Sequence, residues 1–578
     1  MKKEVMKEFN IQIATENGTG SMTANKVLVR SLIAEGFLVT SKNLFPSNIA
    51  GLPTTFRIRI SDYKQTSTTS RTDLYIGFNK KTLQKDLDNL LTDTFCIFNA
   101  DLKFECDFEN QIQISCRKTV RDLHESASTK KLLYNMLYVG SALHLLGGDL
   151  ESAKEITAGY FKKLPQDISD ANVKALEIGF NLIEKSLFDL ERKVPTTTCL
   201  FEGNACSALG FLDGGASVAT WYPITPSSSV AETFEKLSSV YKKDFRSVLQ
   251  CEDEIASAVA ALGAGWSGAR SFTATSGPGL SLMQEALGLA YFTESPFVLL
   301  NVQRAGPSTG LPTRTAQGDL ILAHFSSHGD SIHPVLLPGT PQECYDDAFE
   351  SLNLAQSLQT PVLILTDLDL GMNEWSSKPL QKKESLITNG AVQLKASEDF
   401  KRYSNDQLSP VRSIPRISDS SLAYFTRGSG HAEDGSYSED PTVYEKKVNR
   451  LKEKVLNSHA SAHSPKDIIE MADSEFSLVV WGSTGQIYEE LKDLLPFKFS
   501  YMRLRSLPLG KEQFDFLSKH KANFIVEQNR DGQLNQIIKA FTPENTAAVT
   551  KSICQYDGQP INAKKIALKI LEAFNEQA

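Results

Sequence analysis

Long apolar runs are missing from this chain. No stretch reaches the roughly 18 consecutive apolar residues that a membrane helix needs, and Met1-Lys2-Lys3-Glu4-Val5-Met6-Lys7-Glu8 lacks the apolar core of a secretion signal. A cytoplasmic protein with no membrane contact is expected. Blocks of one charge are missing too: 61 basic residues stand against 69 acidic ones, a net charge of −8. Nothing here forms the basic stripe of a nucleic-acid binder. Cysteine is scarce and scattered. The eight cysteines are Cys96, Cys106, Cys116, Cys199, Cys206, Cys251, Cys344 and Cys554. No two stand two or three apart, so neither an iron–sulfur nor a zinc ligand motif is present. The ten-residue spacing of Cys96, Cys106 and Cys116 reads as buried strand positions. There is no internal repeat and no low-complexity tract.

What is there is a series of strand–turn–helix blocks. At 578 residues the length predicts about three to four domains. The most informative block runs from Val218-Ala219-Thr220, a β-branched run that reads as a buried strand, through Trp221-Tyr222-Pro223-Ile224-Thr225-Pro226-Ser227-Ser228-Ser229. A helix opens at Val230. Four hydroxyls, on Thr225, Ser227, Ser228 and Ser229, crowd this turn. Ligands of open α/β sheets bind beyond the carboxyl ends of the strands, so these hydroxyls face either a small polar substrate or the helix they cap.

Roughly one βα unit later, Gln250-Cys251-Glu252-Asp253-Glu254 closes a strand ending at Leu249 and opens a helix over Ile255 to Gly268. Three carboxylates in a first turn suit the helix dipole. Glu254 directly precedes the apolar positions Ile255, Val259 and Leu262, so it is expected to point inward, where a carboxylate needs a partner or a ligand. The third block, Ser271-Phe272-Thr273-Ala274-Thr275 then Ser276-Gly277-Pro278-Gly279, leads from strand to helix through glycines that admit close backbone approach. The fourth runs from the apolar strand Pro296 to Val302 into Gln303-Arg304-Ala305-Gly306-Pro307-Ser308-Thr309-Gly310-Leu311-Pro312-Thr313-Arg314-Thr315-Ala316-Gln317-Gly318-Asp319. Two arginines on one loop point to an anionic ligand, because guanidinium binds carboxylate in a planar, paired geometry.

In order and spacing, the four blocks together resemble the alpha subunit of 2-oxoacid:ferredoxin oxidoreductases, most of all the 2-oxoglutarate type with a gamma-type domain fused ahead of it. The resemblance implies a multidomain α/β chain. A gamma-type α/β domain is expected over 1–192, and a transketolase-like pyrimidine-binding domain for thiamine diphosphate over 193–375. An irregular connecting segment over 376–473 and a transketolase C-terminal-like α/β domain over 474–578 complete it. In the first domain, strands near 9–15, 37–40, 56–61 and 73–79 and a helix ending at Gly36 read as a doubly wound unit. Two helices, 131–146 and 172–190, finish it. Glu16-Asn17 stand where the family has glycines, and Phe45, Ala50 and Leu52 also depart from its pattern, so a packing role for Gly18 and Gly20 is preferred over a nucleotide site. In the connecting segment, His431 near Glu433 and Asp434 reads as a structural or subunit-contact loop, and the charged helix Tyr444 to Leu456 as solvated.

The family's cofactor implies the chemistry. Thiamine diphosphate supplies a carbon acid that serves as an electron sink, and its deprotonation depends on one carboxylate hydrogen-bonded to the pyrimidine ring. By position Glu254 is that catalytic, cofactor-binding residue, with Glu252 as the alternative; Tyr222, Pro223 and Gly277 also belong to the cofactor site. Thr225 and Arg304 are assigned to the substrate carboxylate or keto oxygen. Arg314 is assigned to a distal carboxylate, or else to a salt bridge ordering the loop, and Ser308 and Thr309 line the site. The Gly-Asp-Gly signature that grips diphosphate and Mg²⁺ is missing: Gly147-Gly148-Asp149, Glu433-Asp434-Gly435 and Arg530-Asp531-Gly532 all lack the pattern. No metal ligand is therefore assigned to this chain. Mg²⁺, the diphosphate grip and a 4Fe–4S cluster are expected in a beta subunit, in an α2β2 assembly using coenzyme A and ferredoxin. Two other readings share the motifs: an enzyme for pyruvate or branched-chain 2-oxoacids, and a non-catalytic assembly subunit.

Overall fold

The computed structural model describes residues 6–46, 52–61, 66–104, 108–192, 198–241, 246–462 and 467–576. They divide into two compact units, Met1–Leu200 with Asn373–Pro379, and Phe201–Met372 with Leu380–Ala578.

The first unit is built on a six-stranded sheet. Its strands lie in the order Val39–Leu44, Pro53–Ile60, Phe9–Glu16, Leu74–Gly77, Phe95–Asn99, Gln111–Ile114. The last four run parallel, but Pro53–Ile60 is antiparallel to both neighbours. The sheet is therefore mixed rather than purely doubly wound. Only eight residues separate Val39–Leu44 from Pro53–Ile60, and a parallel return needs a crossover of a dozen or more residues. Val27, Leu28, Leu137 and Leu176 belong to one core, and Tyr75, Leu83, Cys96 and Phe98 to a separate one. Gly18 and Gly20 both have positive φ, 83° and 74°, at the turn into helix Ser21–Ala34. A side chain at Gly20 would also meet Leu132 at 2.9 Å, so this turn serves backbone and packing.

Three helices follow instead of two: Ala127–Leu145, Leu150–Phe161 and Gln166–Asn181. Asp149, in one of the Gly-Asp candidates, caps the middle helix by accepting from the Ser152 amide at 2.8 Å. Cys96 is a buried strand residue. Cys116, however, is the buried first residue of the short helix Cys116–Thr119, not a strand position, and Cys106 lies outside the described residues.

The second unit holds a seven-stranded sheet in the order Ser506–Leu507, Val335–Leu336, Val362–Asp367, Val298–Gln303, Ser271–Thr275, Val218–Trp221, Ser247–Gln250. All pairs are parallel except the first. Its central strands are buried at every residue, which is why they read as continuous β-branched and apolar runs. Val362–Asp367 lies third in the sheet. Two edge-side strands of two residues each are too short to leave a periodic signal. A five-stranded sheet, Ile468–Ile469, Ser500–Leu504, Phe476–Trp481, Ala522–Glu527, Thr550–Cys554, follows. One apolar core joins the two sheets: Leu299, Leu363 and Leu365 cluster with Val479, Trp481, Met502 and Ile537.

The helix Pro441–Ala462 corrects the expectation of a solvated element. Lys447, Arg450 and Lys454, spaced along one face, are buried. Arg450 and Lys454 pair with the fully buried Glu294 at 2.5 and 2.9 Å. Among the described residues no helix is long and apolar enough to cross a membrane.

Candidate active site

Four neighbouring strands, Val298–Gln303, Ser271–Thr275, Val218–Trp221 and Ser247–Gln250, point their carboxyl ends the same way. The four blocks singled out in the sequence are the turns that leave them, so parallel pairing alone gathers residues as far apart in the chain as Thr225 and Arg304, 79 positions.

In the turn after Trp221, the serines are used by the turn itself. The Ser227 hydroxyl donates to the Ile224 carbonyl at 3.0 Å, Ser228 accepts from the Ile224 amide at 3.0 Å, and Ser229 accepts from the Asn204 amide group at 2.9 Å. Thr225 differs: among the described residues its hydroxyl has no partner. Its carbonyl accepts a 2.7 Å hydrogen bond from Nη1 of Arg304. The side chain of Tyr222 and the ring of Pro223 are exposed beside it.

After Gln250, Asp253 caps the helix Glu254–Trp266 by accepting from the Ala256 amide at 2.7 Å. Glu252 is exposed, whereas Glu254 is only 8% exposed. The reason for that burial differs from the expected one. Ile255 and Val259 are each 48% exposed; the buried face of the helix carries Glu254, Ser257, Ala258, Ala261 and Gly265. Glu254 is shielded by Gly279, where an added Cβ would lie 2.8 Å from the Glu254 Cγ. No donor reaches the Glu254 carboxylate among the described residues.

After Thr275 the glycine turn is filled by protein side chains. A Cβ at Gly277 would lie 2.9 Å from each carboxylate oxygen of Asp319. The hydroxyl of Ser276 is fully buried and without a partner, a polar orphan at the helix start.

Arg304 ends the fourth strand and is 7% exposed. Its Nη1 is held by Thr225, and its Nε is buried without a partner. Burial pulls the guanidinium below its ordinary range, opposed by the charges of Asp319 and Glu254. The loop then folds back on itself: Leu311 donates to the Ala305 carbonyl at 2.8 Å, and Ala305 donates to the Arg314 carbonyl at 2.9 Å. Ser308, at φ 55°, and Thr309 stand exposed at its tip. Arg314 lies on the returning arm. Its Nη1 donates to the carbonyl of its neighbour Thr313 at 2.8 Å, and its Cβ sits 3.0 Å from where a side chain at Gly558 would begin.

Asp319 is a member of this constellation that sequence reasoning left without a role. Its carboxylate accepts from Asn301 at 2.9 Å and its amide donates to Gln303 at 3.0 Å. Burial raises its carboxyl above the usual range, opposed by Asn301 and Arg304. The signal was present as Asn301, Gln303 and Arg304 in an otherwise apolar strand, followed by Gln-Gly-Asp.

Among the described residues no group of three or more His, Cys, Asp or Glu is placed to hold a metal. Asp531 pairs with its neighbour Arg530 at 2.7 Å. Glu433 accepts from Lys401 at 3.0 Å, and Asp434 accepts from Ser436 within its own turn.

Two family models match this chain. Residues 210–441 match the thiamine-diphosphate-binding region of pyruvate flavodoxin/ferredoxin oxidoreductases, and residues 10–182 match a second model, of pyruvate ferredoxin/flavodoxin oxidoreductases. The fold and these matches define a thiamine-diphosphate-binding oxidoreductase chain. The 2-oxoacid:ferredoxin oxidoreductase 2 subunit alpha of Aeropyrum pernix is 27% identical, over 99% of both chains. The 2-oxoglutarate synthase subunit KorA of Methanocaldococcus jannaschii is 32% identical, over 56% of this chain and 86% of that protein. A solved 2-oxoglutarate:ferredoxin oxidoreductase from Magnetococcus marinus, with 2-oxoglutarate, coenzyme A and succinyl-CoA bound, superposes with a TM-score of 0.87 at 27% identity, over 98% of this chain and 99% of that one. The chain belongs to the 2-oxoacid:ferredoxin oxidoreductase family, in its alpha-subunit branch.

Proposed function

We propose that this chain is the fused gamma–alpha subunit of an enzyme that decarboxylates 2-oxoglutarate oxidatively. Coenzyme A is acylated to succinyl-CoA, carbon dioxide is released and two electrons pass to ferredoxin, reversibly, in the cytoplasm. The observation that carries the reading is the buried Glu254 carboxylate, without a donor among the described residues, together with a buried Arg304 whose Nε has no partner among them.

That pairing fits half a thiamine site. Glu254 would accept a hydrogen bond from the aminopyrimidine, with Tyr222, Pro223 and Gly277 around the ring. When bound, thiamine diphosphate supplies the carbon acid and electron sink. Arg304 binds the carboxylate shared by all 2-oxoacids, Thr225 orients it through its hydroxyl, and Ser308 and Thr309 form the rim. Arg314 reads the distal carboxylate. The diphosphate grip, Mg²⁺ and a 4Fe–4S cluster belong to a beta subunit, in an α2β2 complex. Ile255, Val259 and Leu249, exposed apolar residues on the helix and edge strand next to Glu254, supply a surface for that subunit. Pyruvate or a branched-chain 2-oxoacid is the alternative substrate, since only Arg314 argues for a second carboxylate. The buried charged constellation weighs against a purely structural subunit, because burying a carboxylate without a partner is costly unless a ligand repays it.

The test is reconstitution. The purified chain with thiamine diphosphate and Mg²⁺ should reduce no dye in the presence of 2-oxoglutarate and coenzyme A. Co-purified with the product of the neighbouring reading frame, it should. Activity from the chain alone would reject the two-subunit site.

A further inference from the structure

Arg304 shares the strand ends with two carboxylates and forms no ion pair with either among the described residues. Both Asp319 and Glu254 act on its charge, yet its one short protein contact is with the neutral carbonyl of Thr225. Asp319 is the more rigidly placed. Asn301 donates to one of its oxygens, Gln303 holds its amide, and its carboxylate rests against the Cα of Gly277, where nothing larger than glycine fits. Gln303 is itself fixed by donating to the Thr366 carbonyl at 3.0 Å. From the other side, Gln317 donates to Gln528 and Trp481, Asn529 donates to the Gln317 carbonyl, and Gln533 donates to the Gly318 carbonyl. Bonds from both sheets thus fix the segment that carries one buried carboxylate, and among the described residues that carboxylate forms no ion pair. Such a group is costly to keep for packing alone.

We propose that Asp319 is a positioning residue of the oxoacid site, which sets the field beside Arg304 so that a bound carboxylate is held loosely enough to leave. The inference rests on the proposed role of Arg304. In the reaction the bond from the carboxyl carbon to the keto carbon breaks, its electron pair stays with the former keto carbon, and neutral carbon dioxide departs. A guanidinium balanced only by the substrate would stabilise the carboxylate and not the state in which its charge has gone, so it would deepen the ground state without lowering the barrier. A fixed negative charge nearby trims that excess. Asp319 touches neither substrate nor cofactor in this role; it acts through Arg304 and the Gly277 turn.

The experiment uses the complete complex. Asp319→Asn keeps the shape and the Asn301 hydrogen bond but removes the charge. Binding of 2-oxoglutarate is measured by calorimetry on complex depleted of thiamine diphosphate, and kcat and KM on the loaded enzyme. Asp319→Asn should bind 2-oxoglutarate about tenfold more tightly and lower both KM and kcat, the scale on which one charge acts at close range in a partly buried site. Asp319→Glu, which restores the charge, should return binding towards wild type. Unchanged binding and unchanged kcat, or weaker binding with a lowered melting temperature that Glu does not rescue, would overturn the proposal. Arg304→Ala separates the two readings: if it binds 2-oxoglutarate as wild type does, the assignment of Arg304 fails, whatever Asp319 does.

Discussion

Nη1 of Arg304 donates to the carbonyl of Thr225 at 2.7 Å, tying the ends of two strands whose loops lie 79 residues apart in sequence. The contact fixes the guanidinium against a backbone atom, which leaves its other edge for an anion. Arg304→Ala should therefore lower kcat/KM for every 2-oxoacid alike, by about tenfold or more, as a lost charge-assisted bond of about 1.5–3 kcal/mol implies. Arg304→Lys should recover little, since lysine cannot bridge Thr225 and a carboxylate with one planar group. Steady-state kinetics on 2-oxoglutarate and pyruvate decide the point; a loss confined to one substrate would count against it.

For Glu254, the amide variant keeps the shape and removes the charge. Glu254→Gln should slow exchange of the thiamine C2 proton in the assembled complex by roughly 10²–10⁴-fold, the range for a lost acid–base group. Proton exchange followed by NMR measures it directly. The exposed Glu252 serves as a control, and Glu252→Gln should exchange normally.

Arg314 gives a selectivity test. If it reads the distal carboxylate, Arg314→Ala should reduce the ratio of kcat/KM for 2-oxoglutarate over pyruvate about tenfold or more. An unchanged ratio would leave it as a loop anchor against Thr313 and Gly558.

Glu294 concerns stability instead. Its carboxylate, fully buried, holds Arg450 and Lys454. Glu294→Gln would leave two buried cations uncompensated and should cost about 3–5 kcal/mol in denaturant unfolding. A loss below about 1 kcal/mol, the size of an exposed pair, would show the cluster to be solvated.

Lys447 gives the pH dependence. Burial brings its ammonium from 10.5 down to about 6, with Arg450, Arg402 and Lys454 acting in the same direction and Glu294 against them. Its Nζ meets Nε2 of His431, whose own burial lowers it to about 4, and the rings of Phe292 and Tyr403 cover it. The unfolded chain holds this proton up to about 10.5 and the folded one only to about 6, so stability rises with pH across that window. Lys447→Met should be the more stable protein at pH 7, with the difference shrinking towards pH 9.5. Urea titrations at the two pH values test this, and an equal difference at both would refute it.

The strand-to-helix turns were legible because glycine, proline and clustered hydroxyls punctuate apolar runs, and that punctuation is local. Glu254 is legible by its place after the second strand, but it is buried on a different helix face from the one its apolar neighbours suggest. Ile255 and Val259 look like a core stripe in the sequence and are half exposed, because the small residues Ser257, Ala258 and Ala261 pack against the sheet instead. The charged helix Pro441–Ala462 misled for the opposite reason. Lysine and arginine at positions 447, 450 and 454 read as solvated until Glu294, more than 150 residues away, is seen to lie beneath them.

The sequence by itself determined the family, the order of the strand–turn–helix units and which turns carry the chemistry, since each depends on residues adjacent in the chain. Only the tertiary structure decided that Arg304 meets Thr225, that Asp319 lies against Gly277, and that residues 506–507 complete the sheet begun by residues 218–367. Those relations depend on which strands pair, and pairing is chosen by burial of whole sheet faces rather than by any short stretch of residues.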